Sequence, residues 1–269
     1  MQRGRAVPRI SVLILRIRKL LAVLFRPRLL SALLRTGVLA ASEHRPILAR
    51  PWNTIVDIGA NRGQFTLAVS EWTSARVIAF EPLQEPARIF QRAVGRDDRV
   101  QLHVCAIGRE AERRLMHVSK RDDSSSLLEI GAEQSRLFPG TEEIAQEIVM
   151  VRPLEAFIGD DEIESPALLK LDVQGFEYEA LLGCLSRLDA FQNVYCECSF
   201  IELYTGQKLA SDVISLLRDH EFRVSGIHNS TYDDTGRCIQ ADFLFERSSV
   251  PKTAKTPSTI KRINGGKKS

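Results

Sequence analysis

A chain of 269 residues, 44% hydrophobic and 26% charged, has room for one well-buried α/β domain with appendages but not for two full domains. Its net charge of +3 is unevenly laid out: residues 1–35 carry nine Lys/Arg, residues 248–269 carry six, and every acid falls between Glu43 and Glu246, leaving a body with 22 bases for 34 acids. That body excludes nucleic acid as the expected partner, because a phosphate backbone calls for a basic face, and it suits a cationic cofactor with a neutral acceptor.

Residues 1–50 read as a basic amphipathic helical segment. Apolar blocks at 12–15, 20–25 and 29–34 alternate with Arg16, Arg18, Lys19, Arg26, Arg28 and Arg35. No apolar run approaches the ~18–20 residues of a membrane span, and arginines interrupt any signal-peptide core. Two readings stay open for residues 1–37. They lie peripherally on an anionic inner membrane face, or they pack on the domain with their arginines solvated, the segment being broken by Pro8 and Pro27.

From Pro51 to residue 247 strand and helix alternate: strand 54–58, helix 62–72, strand 76–80, helix 84–94, strand 100–104, strand 113–118, a polar loop at 119–126 and, after a poorly patterned stretch, strand 147–152. A short helix at 153–158, strand 167–172, helix 175–187, strand 193–198, helix 208–220 and strands 222–227 and 240–246 complete it. The alternation predicts an α/β fold with a mostly parallel sheet, helices on both faces and ligands beyond the strands' carboxyl ends. The last two strands, joined through Asp233-Asp234-Thr235-Gly236, form an antiparallel hairpin at the edge. The tail at 248–269 is expected to be disordered.

The first strand runs Ile55-Val56-Asp57-Ile58 into the turn Gly59-Ala60-Asn61-Arg62-Gly63, and Glu81-Pro82 ends the second. Glycines admit a ligand to the backbone, and Glu81 can accept hydrogen bonds from both ribose hydroxyls. A dinucleotide fingerprint would have glycine where Asn61 stands, and Asp57 would repel a pyrophosphate. The ammonium and sulfonium of S-adenosylmethionine tolerate such an anion, so that cofactor is favoured over NAD.

A second constellation is Leu169-Lys170-Leu171-Asp172-Val173-Gln174-Gly175-Phe176-Glu177. Lys170 and Asp172 share one face of the strand, and Glu177 falls in the first helical turn. Asp172 is the first candidate for base or hydroxyl orienter, tuned by Lys170, or else a helix cap. Glu197, on a largely apolar strand, must be paired or face the cleft, and ranks second; Asp172 and Glu197 sharing a divalent metal stays an alternative. His103, His117, His220 and His228 are too scattered to hold a metal, and His228 is the best placed of them to meet a substrate or act as base. The five cysteines, odd in number and without metal spacing, point to buried thiols in a reducing cytosol, with Cys196 and Cys198 on opposite faces of their strand.

With these pieces the chain resembles the FkbM-type S-adenosylmethionine-dependent methyltransferases. The matching segments are Val56 through Gly63, Phe80-Glu81-Pro82, Cys105-Ala106-Ile107-Gly108, Ser124-Ser125-Ser126-Leu127, Leu169 through Glu177, and Gln240-Ala241-Asp242-Phe243-Leu244-Phe245. Gln174 stands where the family often has glutamate, and Phe176 where a small residue is usual. The resemblance implies a seven-stranded Rossmann-like sheet over residues 51–247 and methylation of a hydroxyl on a sugar, including that of a glycolipid, or on a polyketide-type metabolite. On this reading Asp57, Gly59, Ala60, Asn61 and Gly63 shape the methionine pocket, Glu81 and Pro82 hold the ribose, Cys105 and Ala106 flank the adenine, and Glu177 and His228 meet the acceptor. The protein is expected in the cytoplasm or peripherally on the membrane's inner face. The rival readings are an NAD-dependent oxidoreductase and a membrane-associated binding module without catalysis.

Overall fold

The structure, a computed structural model, describes residues 26–248. The apolar blocks at 12–15 and 20–25 lie outside it, as does the tail from 249 onwards that was expected to be disordered.

The chain opens with helix α1 (Pro27–Thr36) and the single turn α2 (Arg45–Leu48), then enters the alternation β1 (Thr54–Ile58), α3 (Gln64–Trp72), β2 (Arg76–Phe80), α4 (Gln84–Val94) and β3 (Val100–His103). Next come β4 (Ala106–Ile107), β5 (Glu112–Ser119), α5 (Ala132–Leu137), β6 (Glu143–Arg152), β7 (Ala167–Leu171), α6 (Glu177–Cys184), β8 (Asn193–Ser199), α7 (Ala210–Asp219), β9 (Phe222–Tyr232) and β10 (Cys238–Arg247). Seven strands form one sheet in the order β3-β2-β1-β7-β8-β10-β9, parallel up to β8, with β10 antiparallel to both its neighbours. The fold class and the edge hairpin are as the sequence predicts.

β1 and β7 are buried at every position, which explains their unbroken apolar runs: a central parallel strand is covered on both faces. Alternate residues feed two separate cores. Val56, Ile58, Leu169 and Cys196 pack on one face, and Ile55, Leu168, Tyr195 and Leu244 on the other. The second core also takes Leu29 and Ala32 of α1. Two ion pairs, Arg26 with Glu71 and Arg28 with Asp97, pin this helix to the domain, so the described part of the N-terminal segment packs rather than projects.

Three differences from expectation have physical reasons. β4, β6 and β5 form a second, three-stranded sheet, and β6 begins at Glu143 rather than 147 because its first six residues are exposed and carry no alternation. The helix expected over 153–158 shrinks to a 3-10 turn at Leu154–Ala156. The helix expected over 175–187 starts at Glu177, since Gln174 and Gly175 take positive φ of 55° and 95°, and it tightens into a 3-10 turn at Leu185–Ala190. Cys105, Cys184, Cys196 and Cys198 are buried thiols, Cys238 is partly buried, and none forms a disulfide. Cys196 and Cys198 are a correction: two positions apart on β8, they share one face of the strand and pack into the same core rather than facing opposite sides. Among the described residues no helix is long and apolar enough to cross a membrane.

Candidate active site

The carboxyl ends of β1, β2 and β7 open into a cleft of about 460 Å³, within the ~300–1,000 Å³ usual for small-molecule sites. Gly59 has φ of 79°, and a Cβ there would lie 1.9 Å from the Asp172 carbonyl oxygen; only glycine lets the ends of β1 and β7 approach so closely. The Gly59 and Ala60 N–H groups donate to the Phe80 carbonyl at 3.0 and 2.9 Å. Asn61 sits at φ of 47° and its N–H donates to Glu81 Oε2 at 2.9 Å, while the Leu83 N–H donates to Oε1 at 2.9 Å. Glu81 thus laces the end of β2 to the turn after β1. Burial pushes its carboxyl up to about 7 against the pull of those two N–H bonds.

Of the residues the sequence assigned to the cofactor, Gly59, Ala60, Asn61, Glu81, Pro82, Cys105 and Ala106 line the cleft. Gly63 does not. It caps α3 at φ of 90°, where a Cβ would meet the Phe90 ring at 2.9 Å. Asp57 is also set back, fully buried, with Thr66 Oγ1 donating to its Oδ2 at 2.8 Å. Two features suit S-adenosylmethionine. Glu81 brings a carboxylate to the β2 end, where ribose hydroxyls could donate to it, and Asn61, which lines the cleft, has a buried Oδ1 acceptor with no hydrogen-bond partner among the described residues. Ile107, Met116 and Leu127 add an apolar wall for a flat ring.

Lys170 joins the two constellations. Its ammonium donates to the Gly59 carbonyl at 3.0 Å, lies 3.0 Å from Asp57 Oδ1 and reaches Asp172 Oδ2 at 3.9 Å. The contact with Asp57 Oδ1 is one of charge, off the line of a hydrogen bond. Burial disfavours the charge on Lys170, but Asp57 and Asp172 outweigh it, and its pKa stays above the ordinary value. Asp172 lines the cleft with a side chain 42% exposed, in contrast to the sealed Asp57.

The remaining predicted residues are placed elsewhere. Glu177 is a correction: it does not line the cleft but turns back beneath the loop, its Oε1 accepting from the Val173 N–H at 2.9 Å and the Gly175 N–H at 3.2 Å. Burial raises its carboxyl to about 7. Glu197 is paired rather than open to the cleft, accepting from Gln174 Nε2 at 3.0 Å and Gln240 Nε2 at 2.7 Å, and burial followed by repulsion from Asp172 and Asp242 raises it well above its ordinary value. Gln174 also donates to Asp172 Oδ1 at 2.7 Å, so an amide stands between the two carboxylates proposed as metal ligands. His228 lies within β9, off the cleft, its ring edge-on to Tyr195 at 6.1 Å.

Sequence reasoning passed over His44. This histidine ends a 3-10 turn at Ser42–His44 and lines the cleft. Its Nδ1 lies 3.0 Å from the Tyr195 hydroxyl, which donates to Asp242 Oδ2 at 2.9 Å. The contact spans 151 positions in the chain, and no local motif announces it.

Comparison with known proteins agrees with this architecture. Residues 57–224 match the model of the Methyltransferase FkbM domain. The chain is 28% identical over 188 residues to the 2-O-methyltransferase NoeI of Sinorhizobium fredii, covering 66% of this chain and 77% of that one. Likeness to solved structures is looser. A protein of the NADB-Rossmann superfamily from Streptococcus agalactiae superposes with a TM-score of 0.45 at 10% identity, covering 80% of this chain and 72% of that one. The putative tRNA (m1A22) methyltransferase Sp1610 of Streptococcus pneumoniae, in complex with S-adenosyl-L-methionine, gives 0.41 at 12% identity, covering 78% and 72%. With more than half of its length matched by the domain, the chain belongs to the FkbM methyltransferase family and is an S-adenosylmethionine-dependent methyltransferase.

Proposed function

We propose that the protein methylates a hydroxyl oxygen of a sugar or polyketide-type acceptor, through a domain spanning residues 51–247 that residues 37–44 complete at the cleft. The observation that carries this is Asp172: a half-exposed carboxylate beside the buried Lys170 ammonium and the Gln174 amide, lining the same cleft as Gly59, Asn61 and Glu81. S-adenosylmethionine supplies the methyl group on a sulfonium when bound. Asp172 accepts a hydrogen bond from a hydroxyl adjacent to the reacting one, as a polyol presents, and fixes the acceptor's orientation; Lys170 and Gln174 hold the carboxylate in place. The relationship to a 2-O-methyltransferase supports an oxygen acceptor. A neutral acceptor also fits a body rich in acids.

The test is transfer of labelled methyl from the donor to a panel of methyl hexopyranosides, read as the mass gain of one CH2. Asp172→Asn is expected to lower kcat/KM on the order of 100-fold with unchanged affinity for S-adenosylhomocysteine. Methylation of amines alone would defeat the reading. For a glycolipid acceptor, the six Lys/Arg of residues 1–25 support work in the cytoplasm at an anionic membrane face. Deletion of residues 1–25, which spares α1, is then expected to abolish sedimentation with anionic liposomes, and retained sedimentation would remove that reading.

A further inference from the structure

The geometry points to His44 as the group that takes the proton of the reacting hydroxyl, with Tyr195 and Asp242 as its positioning residues. This rests on the hydroxyl-methylating function proposed above. His44 precedes residues 57–224, so the base is supplied by chain outside the segment that matches the family domain.

Hydrogen-bond arithmetic fixes the histidine's tautomer. The Tyr195 hydroxyl has a single proton and directs it to Asp242 Oδ2 at 2.9 Å, so it can only accept from His44 Nδ1 at 3.0 Å, and Nδ1 carries the ring hydrogen. Asn229 Nδ2 donates to Asp242 Oδ2 at 2.7 Å and to the Tyr195 hydroxyl at 3.3 Å; with both amide hydrogens engaged, its 3.4 Å approach to Nδ1 brings no competing donor. Nε2 is left with its lone pair, and among the described residues no group hydrogen-bonds to it. The ring is held edge-on to Phe65 at 5.3 Å and to Tyr195 at 5.5 Å, so it is clamped as well as polarised. A base within the cleft, oriented by a second group that is itself oriented by a carboxylate, is the arrangement that general-base catalysis requires.

The charges facing His44 come from every side: Asp242 from β10, Glu43 beside it, Lys170 and Asp172 from the end of β7, with His228 of β9 across the Tyr195 ring. Burial, opposed by Asp242 and Glu43, holds His44 below its ordinary value of 6.5, so the imidazole is neutral and able to accept at pH 7. In the reaction the hydroxyl's proton passes to the Nε2 lone pair. The O–H pair remains on oxygen, which bonds to the methyl carbon as the carbon–sulfur pair departs with sulfur. The imidazolium then loses its proton to water, so no further reactant is needed.

Two measurements test this. In ¹⁵N NMR of histidine-labelled protein, His44 should titrate below 6.5 with the hydrogen on Nδ1, and Asp242→Asn or Tyr195→Phe should change the tautomer ratio; a hydrogen on Nε2, or an imidazolium at pH 7, would overturn the proposal whatever the acceptor proves to be. In single turnover with a methyl hexopyranoside, His44→Gln should cut transfer on the order of 100-fold or more and erase the acid limb that the wild-type rate shows below pH 6.5, with S-adenosylhomocysteine affinity within about threefold of wild type. A variant that keeps both rate and acid limb would also overturn it. Absence of hydroxyl methylation by the wild type would instead sink the proposed function, and the tautomer measurement would still decide the role of His44.

Discussion

Replacing Lys170 by methionine keeps most of its volume and removes the only cation in contact with Asp57 among the described residues. Asp57 is fully buried and would retain the Thr66 hydroxyl at 2.8 Å as its remaining side-chain partner, and the Gly59 carbonyl would lose its donor at 3.0 Å. Stranding a charge in this way costs about 3–5 kcal/mol, a large share of the ~5–15 kcal/mol that holds a domain folded. In a chain of this size that lowers the melting temperature by roughly 10 °C. Adding Asp57→Asn removes the stranded charge, so the double variant should recover at least half of the loss. Melting curves and urea titrations of the two single variants and the double complete the cycle. A Lys170→Met cost under about 1 kcal/mol, or a double variant no better than the single, would show that the pair carries no such energy.

Gly59→Ala places a methyl 1.9 Å from the Asp172 carbonyl at a positive φ, and should cost at least about 2 kcal/mol; a melting temperature equal to wild type would mean that the strand ends can part freely. Glu177 has a folded-state value near 7 against an ordinary 4.5, so its contribution is fully present below about pH 4.5 and is lost as pH rises through 7, amounting to about 3 kcal/mol by pH 8. Glu177→Gln should flatten that part of the stability profile, and parallel profiles for the two proteins would contradict the assignment. Glu81→Ala should weaken S-adenosylhomocysteine at least tenfold by isothermal titration, about 1.4 kcal/mol, and an unaltered Kd would take Glu81 out of the ribose site.

The part of the cleft built by β1 and β2 was legible because each of its pieces is local: a buried strand, a glycine turn and an acid at the next strand's end lie within residues 54–82. The Lys170–Asp172 strand was legible for the same reason. Gly63 and Asp57 carried the right signal with a different meaning, one a helix cap against Phe90 and the other the counter-ion behind the wall. Glu177 misled because a carboxylate in a first helical turn reads alike whether it faces a ligand or closes its own loop. The second sheet was illegible since β6 starts with exposed residues that show no period. His44 was missed because its partners come from β8 and β10, and tertiary contacts of that range leave no trace in spacing.

The position of β10 bears on how the molecule is made. It is the last strand in sequence order among the described residues, yet it is inserted between β8 and β9, so a nascent chain leaving the ribosome exposes the unpaired flank of β8 until residue 247 has emerged. Translation must run through that strand before Asp242 can meet His44. A product stalled short of residue 238 would be inactive and sticky at once, which makes quality control of this enzyme a matter of the single strand at residues 238–247.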